Sequence, residues 1–161
     1  MSAAPRWRFV PASAAIPHLP ALAAWHHAEW GALYADWSAA DALAELQAHA
    51  AGDGVLPTTL VALADDGALL GSVSLLLEDA PDLADLDGPW LASLYVAPAA
   101  RGRGLGEALV RALARRAFAA GMPRLRLFTP HHRGFYERLG WAFERTAAVG
   151  GQAVDVLALV P

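Results

Sequence analysis

The stretch Leu94-Tyr95-Val96-Ala97-Pro98-Ala99-Ala100-Arg101-Gly102-Arg103-Gly104-Leu105-Gly106-Glu107 decides how the chain is read. It begins as an apolar run, which Pro98 stops. Three glycines, each one residue apart, then lead into a segment in which Leu105, Leu109, Leu113 and Ala117 share a face. The pattern is strand, glycine-rich turn, helix. The start of a helix presents backbone N–H groups without intrahelical partners and a partial positive charge. Gly102, Gly104 and Gly106 let those groups approach an anion closely, and Arg101 and Arg103 add guanidinium charge. The turn is expected to bind a diphosphate.

The rest of the chain reads as alternating short elements. Trp7 to Val10 is a first strand. Leu19 to Leu33 is a helix with Leu22, Trp25 and Ala28 on one face. Ser38, with Asp41 three residues on, caps a second helix that Gly52 and Gly54 end. Thr58 to Ala64 and Leu69 to Leu77 are strands joined by Asp65-Asp66-Gly67, a hairpin signal. An acidic loop holding Glu78, Asp79, Asp82, Asp85 and Asp87 precedes a strand over Trp90 to Val96. After the helix from Leu105 to Ala120 come a strand at Leu125 to Thr129 and a short helix at His132 to Leu139. Closing strands follow at Trp141 to Ala147 and Ala153 to Leu159, with Gly150-Gly151 between them. This order predicts one domain over residues 1–161, of α+β class, with a mixed and mostly antiparallel sheet.

Composition excludes several classes of function. The chain has 161 residues, no cysteine and a formal charge of −4, so thiolate metal sites, cysteine nucleophiles and general nucleic-acid binding are not expected. Residues 1–100 hold two Arg and twelve carboxylates, whereas residues 101–161 hold ten Arg and four carboxylates. There is no lysine, so every fixed cation is a guanidinium. No apolar run reaches the ~18 residues of a membrane span, and Arg6 and Arg8 precede no leader-like apolar stretch. The six histidines show no metal-ligand spacing, so no metal is expected. The expected location is the cytoplasm.

Three glycine-rich templates compete for the turn. A phosphate-binding loop ending Gly-Lys-Ser/Thr fails, because Glu107 and Ala108 follow Gly106. The dinucleotide fingerprint needs G-x-G-x-x-G and an acid closing the next strand; Leu125-Arg126-Leu127-Phe128-Thr129 offers none. The third, Arg/Gln-x-x-Gly-x-Gly/Ala, is met by Arg101 to Gly106. This is the acetyl-CoA signature of the GNAT family of N-acetyltransferases, which the chain resembles. Phe135-Tyr136-Glu137-Arg138-Leu139-Gly140-Trp141 is similar to that family's second segment. The specific motifs cover about residues 91–145, and the element order covers most of the chain.

The resemblance implies acetyl transfer from acetyl-CoA to a primary amine. It implies that the strand before the turn splays from its parallel neighbour. Leu94 and Val96 would then offer backbone groups to the pantetheine arm, with Tyr95 between them facing the other way. Arg101, Gly102, Arg103, Gly104, Leu105, Gly106 and Glu107 would form the pyrophosphate turn. Phe135 and Tyr136 would lie beside the cofactor, and Tyr136 matches the family's tyrosine that protonates the departing sulfur. Many members carry a glutamate on the strand before the turn; here Ala92, Ser93 and Leu94 stand there. The general base is therefore open among Glu29, Glu78, His131, its neighbour His132, and a water relay. Trp25, Trp30 and Trp90 are candidates to wall the acceptor site, although Trp25 also suits the core. The acidic loop suggests a cationic acceptor, a polyamine or basic peptide N-terminus among them, and serves equally as a solubilising surface. The protein is expected to be a monomer or homodimer. The alternative reading is a GNAT-fold module that binds or senses acyl-CoA with little catalysis.

Overall fold

A computed structural model describes residues 6–52 and 54–161. Met1–Pro5, on which the leader reading partly rests, lie outside the described residues. The elements follow the order β1 (Trp7–Pro11), α1 (Leu19–Trp30), α2 (Ala39–Ala51), β2 (Thr58–Ala64), β3 (Leu69–Leu76), β4 (Trp90–Val96), α3 (Leu105–Ala119), β5 (Leu125–Thr129), α4 (Arg133–Arg138), β6 (Ala142–Val149) and β7 (Gln152–Leu159). The strands form one sheet in the order β1-β2-β3-β4-β5-β7-β6. Every neighbouring pair is antiparallel except β4 with β5. No helix among the described residues is long and apolar enough to cross a membrane.

Alternation along the strands divides the buried residues between the two faces of the sheet. Leu60, Ala62, Val73, Leu75, Leu91, Leu125, Leu127 and Leu157 pack with α3 residues Leu105, Leu109, Val110 and Leu113. Val61 and Leu63 point the other way, against Leu19, Leu22 and Ala23 of α1 and Ala42 and Leu46 of α2. A third cluster, with Trp90, Leu83, Val149 and Val156, closes the second face beneath the acidic loop.

Local sequence explains the element ends. Ser38 accepts from the Asp41 N–H while Asp41 accepts from the Ser38 N–H, so the expected reciprocal cap starts α2. Gly121 and Gly140 take positive φ of 92° and 98° just beyond α3 and α4, where a residue with a Cβ is strained. The first helix departs from expectation. It ends at Trp30 and continues as one turn of 3-10 helix over Gly31–Leu33. Its buried face is Leu19, Leu22, Ala23 and His26, while Ala28 is exposed. Trp25 is only half-buried: it packs at the edge of the α1–sheet core and its ring stacks on Tyr95.

Candidate active site

The sheet opens between β4 and β5. These parallel strands pair only at Trp90 and Arg126. The closed end is held by Arg126, a buried guanidinium that reaches Glu144 of β6 through two hydrogen bonds of 2.8 and 3.0 Å. It also donates to the Asp87 carbonyl. Three residues past Trp90, Ser93 adopts φ 56°, and the register of β4 against β3 slips between Ser72 and Ser74. From Ser93 onward β4 changes from buried to half-buried.

Beyond this bulge the strand's hydrogen-bonding groups are free on one side. Gly71 faces Val96, and the Ala97 N–H donates to the Leu70 carbonyl at 2.8 Å. In an antiparallel ladder this directs the N–H and C=O of Val96, and those of Leu94, away from β3 and into the opening. The Arg101 Nε–H already donates to the Val96 carbonyl at 2.9 Å. Tyr95 lies on the opposite face, against Trp25 and Trp30.

The turn after β4 suits an anion. Gly102 and Gly104 have φ of 79° and 81°, and Gly104 is the residue that caps α3. No side chain caps this helix, so its first N–H groups are uncommitted. A Cβ on either glycine would meet nothing within 4 Å. Backbone conformation, not crowding, therefore demands glycine there. Gly106 sits between Val96 and Phe135. Arg101 lies over the Tyr95 ring at 5.8 Å, and Arg103 is exposed. Two residues of the expected turn are engaged elsewhere: Leu105 is buried in the core, and Glu107 pairs with Arg111 at 3.0 Å. Open strand edge, uncapped helix start and glycine turn together fit an extended thiol ester carrying a diphosphate.

Tyr136 is buried on α4 against Phe135 and Trp141, with ring centroids 5.0 and 6.2 Å away. Burial pushes its phenol up to about 12, so it keeps its proton at neutral pH and can donate it. The other candidates are scattered over the surface. Glu29 is exposed in the last turn of α1, and Glu78 is exposed just past β3. His131 is exposed beyond β5, with its Nε2 3.4 Å from the Gln152 amide nitrogen. The His132 N–H donates to the Thr129 hydroxyl.

The opposite face, under α1 and α2, carries most of what the sequence did not reveal. His26 is buried with its Nε2 3.0 Å from the Ser72 hydroxyl. Burial, with His49 nearby, lowers its imidazole to about 4, so it is neutral at pH 7. His49 Nδ1 lies 2.9 Å from the Thr59 hydroxyl, which is 2.8 Å from the Ser74 hydroxyl. Trp30 packs on His26 and Tyr95 at 5.1 and 6.2 Å. Trp90, expected to wall the acceptor site, is 1% exposed and packs on Phe128 in the core, so it offers no face to a ligand. Its neighbours on the sheet were apolar in sequence, and the bulge leaves it on the closed side of the opening.

The acidic loop is partly structural. Asp82 accepts from the Gly150 N–H at 2.9 Å, and Asp85 takes Arg145 at 3.0 and 3.1 Å, so both tie the loop to the β6–β7 hairpin. Asp79 differs. Burial and the nearby Glu45 carboxylate push it up to about 7. Glu45 accepts from the Trp37 indole at 3.0 Å, and burial raises it too. Burial and then the charges of Asp79, Asp82 and Glu45 raise the phenol of Tyr34. Two aromatic rings, Tyr34 and Trp37, and two carboxylates thus converge at the start of the acidic loop. Among the described residues no group of three His, Asp or Glu could hold a metal ion.

The comparisons agree with this geometry. The sequence model of the Acetyltransferase (GNAT) family matches residues 20–141. Among solved structures, a candidate acetyltransferase from Acinetobacter baylyi aligns with TM-score 0.73 and 17% identity, over 100% of this chain and 95% of that one. A candidate GNAT-family acetyltransferase from Bordetella pertussis aligns with TM-score 0.73 and 21% identity, over 98% and 97%. A spermidine/spermine N-acetyltransferase from Vibrio cholerae, solved with manganese ions, aligns with TM-score 0.66 and 16% identity, over 96% and 92%. No curated protein matches the sequence.

Proposed function

The chain belongs to the GNAT acetyltransferase family, and from that premise we propose that it transfers the acetyl group of acetyl-CoA to a primary amine. The family fold supports acyl transfer from acetyl-CoA in general. The observation that carries the narrower reading is the continuity of the bulged edge of β4, from Ser93 to Val96, with the uncapped glycine start of α3. One surface thereby offers strand backbone to an amide-bearing arm and helix N–H groups to a diphosphate.

Acetyl-CoA supplies an activated acyl carbonyl; the chain's part is to bind it, orient it and move protons. In this reading Leu94 and Val96 backbone groups hold the pantetheine arm, which requires the Arg101 side chain to release the Val96 carbonyl. Arg101 then turns toward the phosphates with Arg103. The Leu94 N–H, just past the bulge, is the donor for negative charge growing on a carbonyl oxygen. Tyr136 gives its proton to the departing thiolate. An alkyl amine, with a pKa near about 10, arrives protonated and must lose a proton before it attacks.

The acceptor enters from the α1–α2 side, between the Trp25–Trp30–Tyr95 wall and the Asp79–Glu45 carboxylates. Partly buried carboxylates beside aromatic faces favour a cationic amine. Polyamines head the candidates.

A CoA-release assay over polyamines, aminoglycosides, amino acids and basic peptides tests the reading. Release of CoA with at least one cationic amine is expected. Saturable acetyl-CoA binding with no turnover on any amine would favour the competing reading, a binding module, which rests on the lack of a carboxylate among Ala92, Ser93 and Leu94.

A further inference from the structure

The proton leaving the amine needs a path, and the sheet contains one that no exposed candidate base supplies. Resting on the transferase reading, we propose that Ser74, Thr59 and His49 form a relay that carries this proton from β4 to the outer side of α2.

Ala92 is one of the three β4 residues that stand where many members carry a carboxylate, and its cross-strand partner is Ser74 on β3, one residue from the Ser93 bulge. Both face α1 and α2. Ala92 presents only a methyl beside Ser74, and in this proposal the amine N–H meets the Ser74 hydroxyl directly or through one water. From Ser74 the path is continuous: 2.8 Å to the Thr59 hydroxyl, then 2.9 Å to His49 Nδ1. Ser74 and Thr59 are 2% and 0% exposed, so bulk water does not compete for these bonds. His49 is half-buried, and this is the end at which a proton can leave.

The distances allow either hydrogen-bond direction along the chain, and one of the two carries a proton outward. Each hydroxyl has one proton and can accept one bond while donating another. With Ser74 donating to Thr59 and Thr59 donating to His49 Nδ1, the imidazole is the neutral tautomer protonated at Nε2. Burial lowers His49 below the ordinary histidine value, which keeps it neutral and ready to accept at pH 7. The ammonium N–H bond breaks toward Ser74. Ser74 passes its own proton to Thr59, Thr59 passes its own to Nδ1, and Nε2 releases one to solvent. The net change is RNH3+ to RNH2, with one proton delivered outside. The other N–H proton, lost as the amide forms, balances the one Tyr136 gives to the sulfur.

Thr59 acts through its neighbours and is a positioning residue, so the test must separate relay from packing. kcat and KM are measured in H2O and D2O for the wild type, His49→Gln, Thr59→Val and Thr59→Ser, with saturating acetyl-CoA and an amine taken from the panel. General base catalysis contributes roughly 10²–10⁴-fold. His49→Gln, which keeps polar atoms at a half-exposed site but cannot carry a proton, is expected to lower kcat at least about 30-fold. The KM for acetyl-CoA should stay within about twofold. Thr59→Val should behave alike, Thr59→Ser should restore kcat, and the solvent isotope effect should grow in the slow variants. Equal kcat in wild type and His49→Gln, with equal isotope effects, overturns the relay and leaves the transferase reading intact. A wild type that binds acetyl-CoA and turns over no amine overturns both.

Discussion

The two faces of the sheet are built by different rules. Under α3 the buried side chains are almost all aliphatic, and the functional groups there are backbone N–H and C=O, exposed where β4 bulges and α3 starts without a cap. Under α1 and α2 the sheet buries His26, Thr59, Ser72 and Ser74 in hydrogen-bonded pairs and chains. In the proposed reading the first face takes a thiol ester with a diphosphate, for which backbone groups suffice. The second face would handle charge and protons, with side chains.

Removing what joins the two halves of the sheet should cost most. Arg126 closes the β4–β5 pair and binds Glu144 and Asp87, which belong to opposite sides of the opening. Arg126→Ala is expected to lose about 2 kcal/mol, from the charge-assisted hydrogen bonds removed, since the Glu144 carboxylate is exposed enough for water to solvate it. Chemical denaturation measures this; a loss under about 1 kcal/mol would show that the two halves of the sheet do not depend on this staple.

Tyr136→Phe touches only the α3 face. The expected outcome is a fall in kcat of about 100-fold with unchanged acetyl-CoA affinity, the signature of a proton donor used in the reaction. Steady-state kinetics with a binding isotherm decide it, and an unchanged kcat would assign Tyr136 to packing with Phe135 and Trp141.

Asp79→Asn touches only the acceptor face and should have the smallest effect. Folded Asp79 holds its proton to about pH 7, whereas an ordinary aspartate loses it near 3.8. The folded state therefore binds the extra proton in that window, and stability falls as pH rises through it. The Asn variant should match the wild type below pH ~4. Above pH ~7 it should gain about 1 kcal/mol, after discounting for partial exposure. Unfolding midpoints from pH 4 to 8 check this; parallel curves would mean that Asp79 ionises normally.

The contrast between the faces also explains what could be read in the sequence. The glycine turn is contiguous, and each of its demands is written locally: positive φ at Gly102 and Gly104, a proline stop and an amphipathic helix. The same holds for the Ser38–Asp41 cap and for β4, whose bounds Trp90 and Val96 were legible. The relay draws on α2, β2 and β3, with 10 positions between His49 and Thr59 and 15 between Thr59 and Ser74. Only the strand register brings these residues together, and a lone histidine on a helix gives no sign of it. His26 was hidden in the same way. The loop acids misled in part, because Asp82 and Asp85 serve a hairpin sixty or more residues away, and Trp90 read as a pocket wall because aromatic count does not reveal facing.

The central claim is that the bulged β4 edge and the α3 start form one acetyl-CoA site. Thermal unfolding of the wild type and Gly104→Val, with and without acetyl-CoA, tests it most directly. At about 100 times its dissociation constant the ligand should add roughly 2.7 kcal/mol to the wild type, a rise of several degrees. Gly104→Val, which cannot hold φ near 81° without strain, should lose most of that rise while still unfolding cooperatively. Equal rises in both proteins, or none in the wild type, would contradict the claim and make the turn a structural cap.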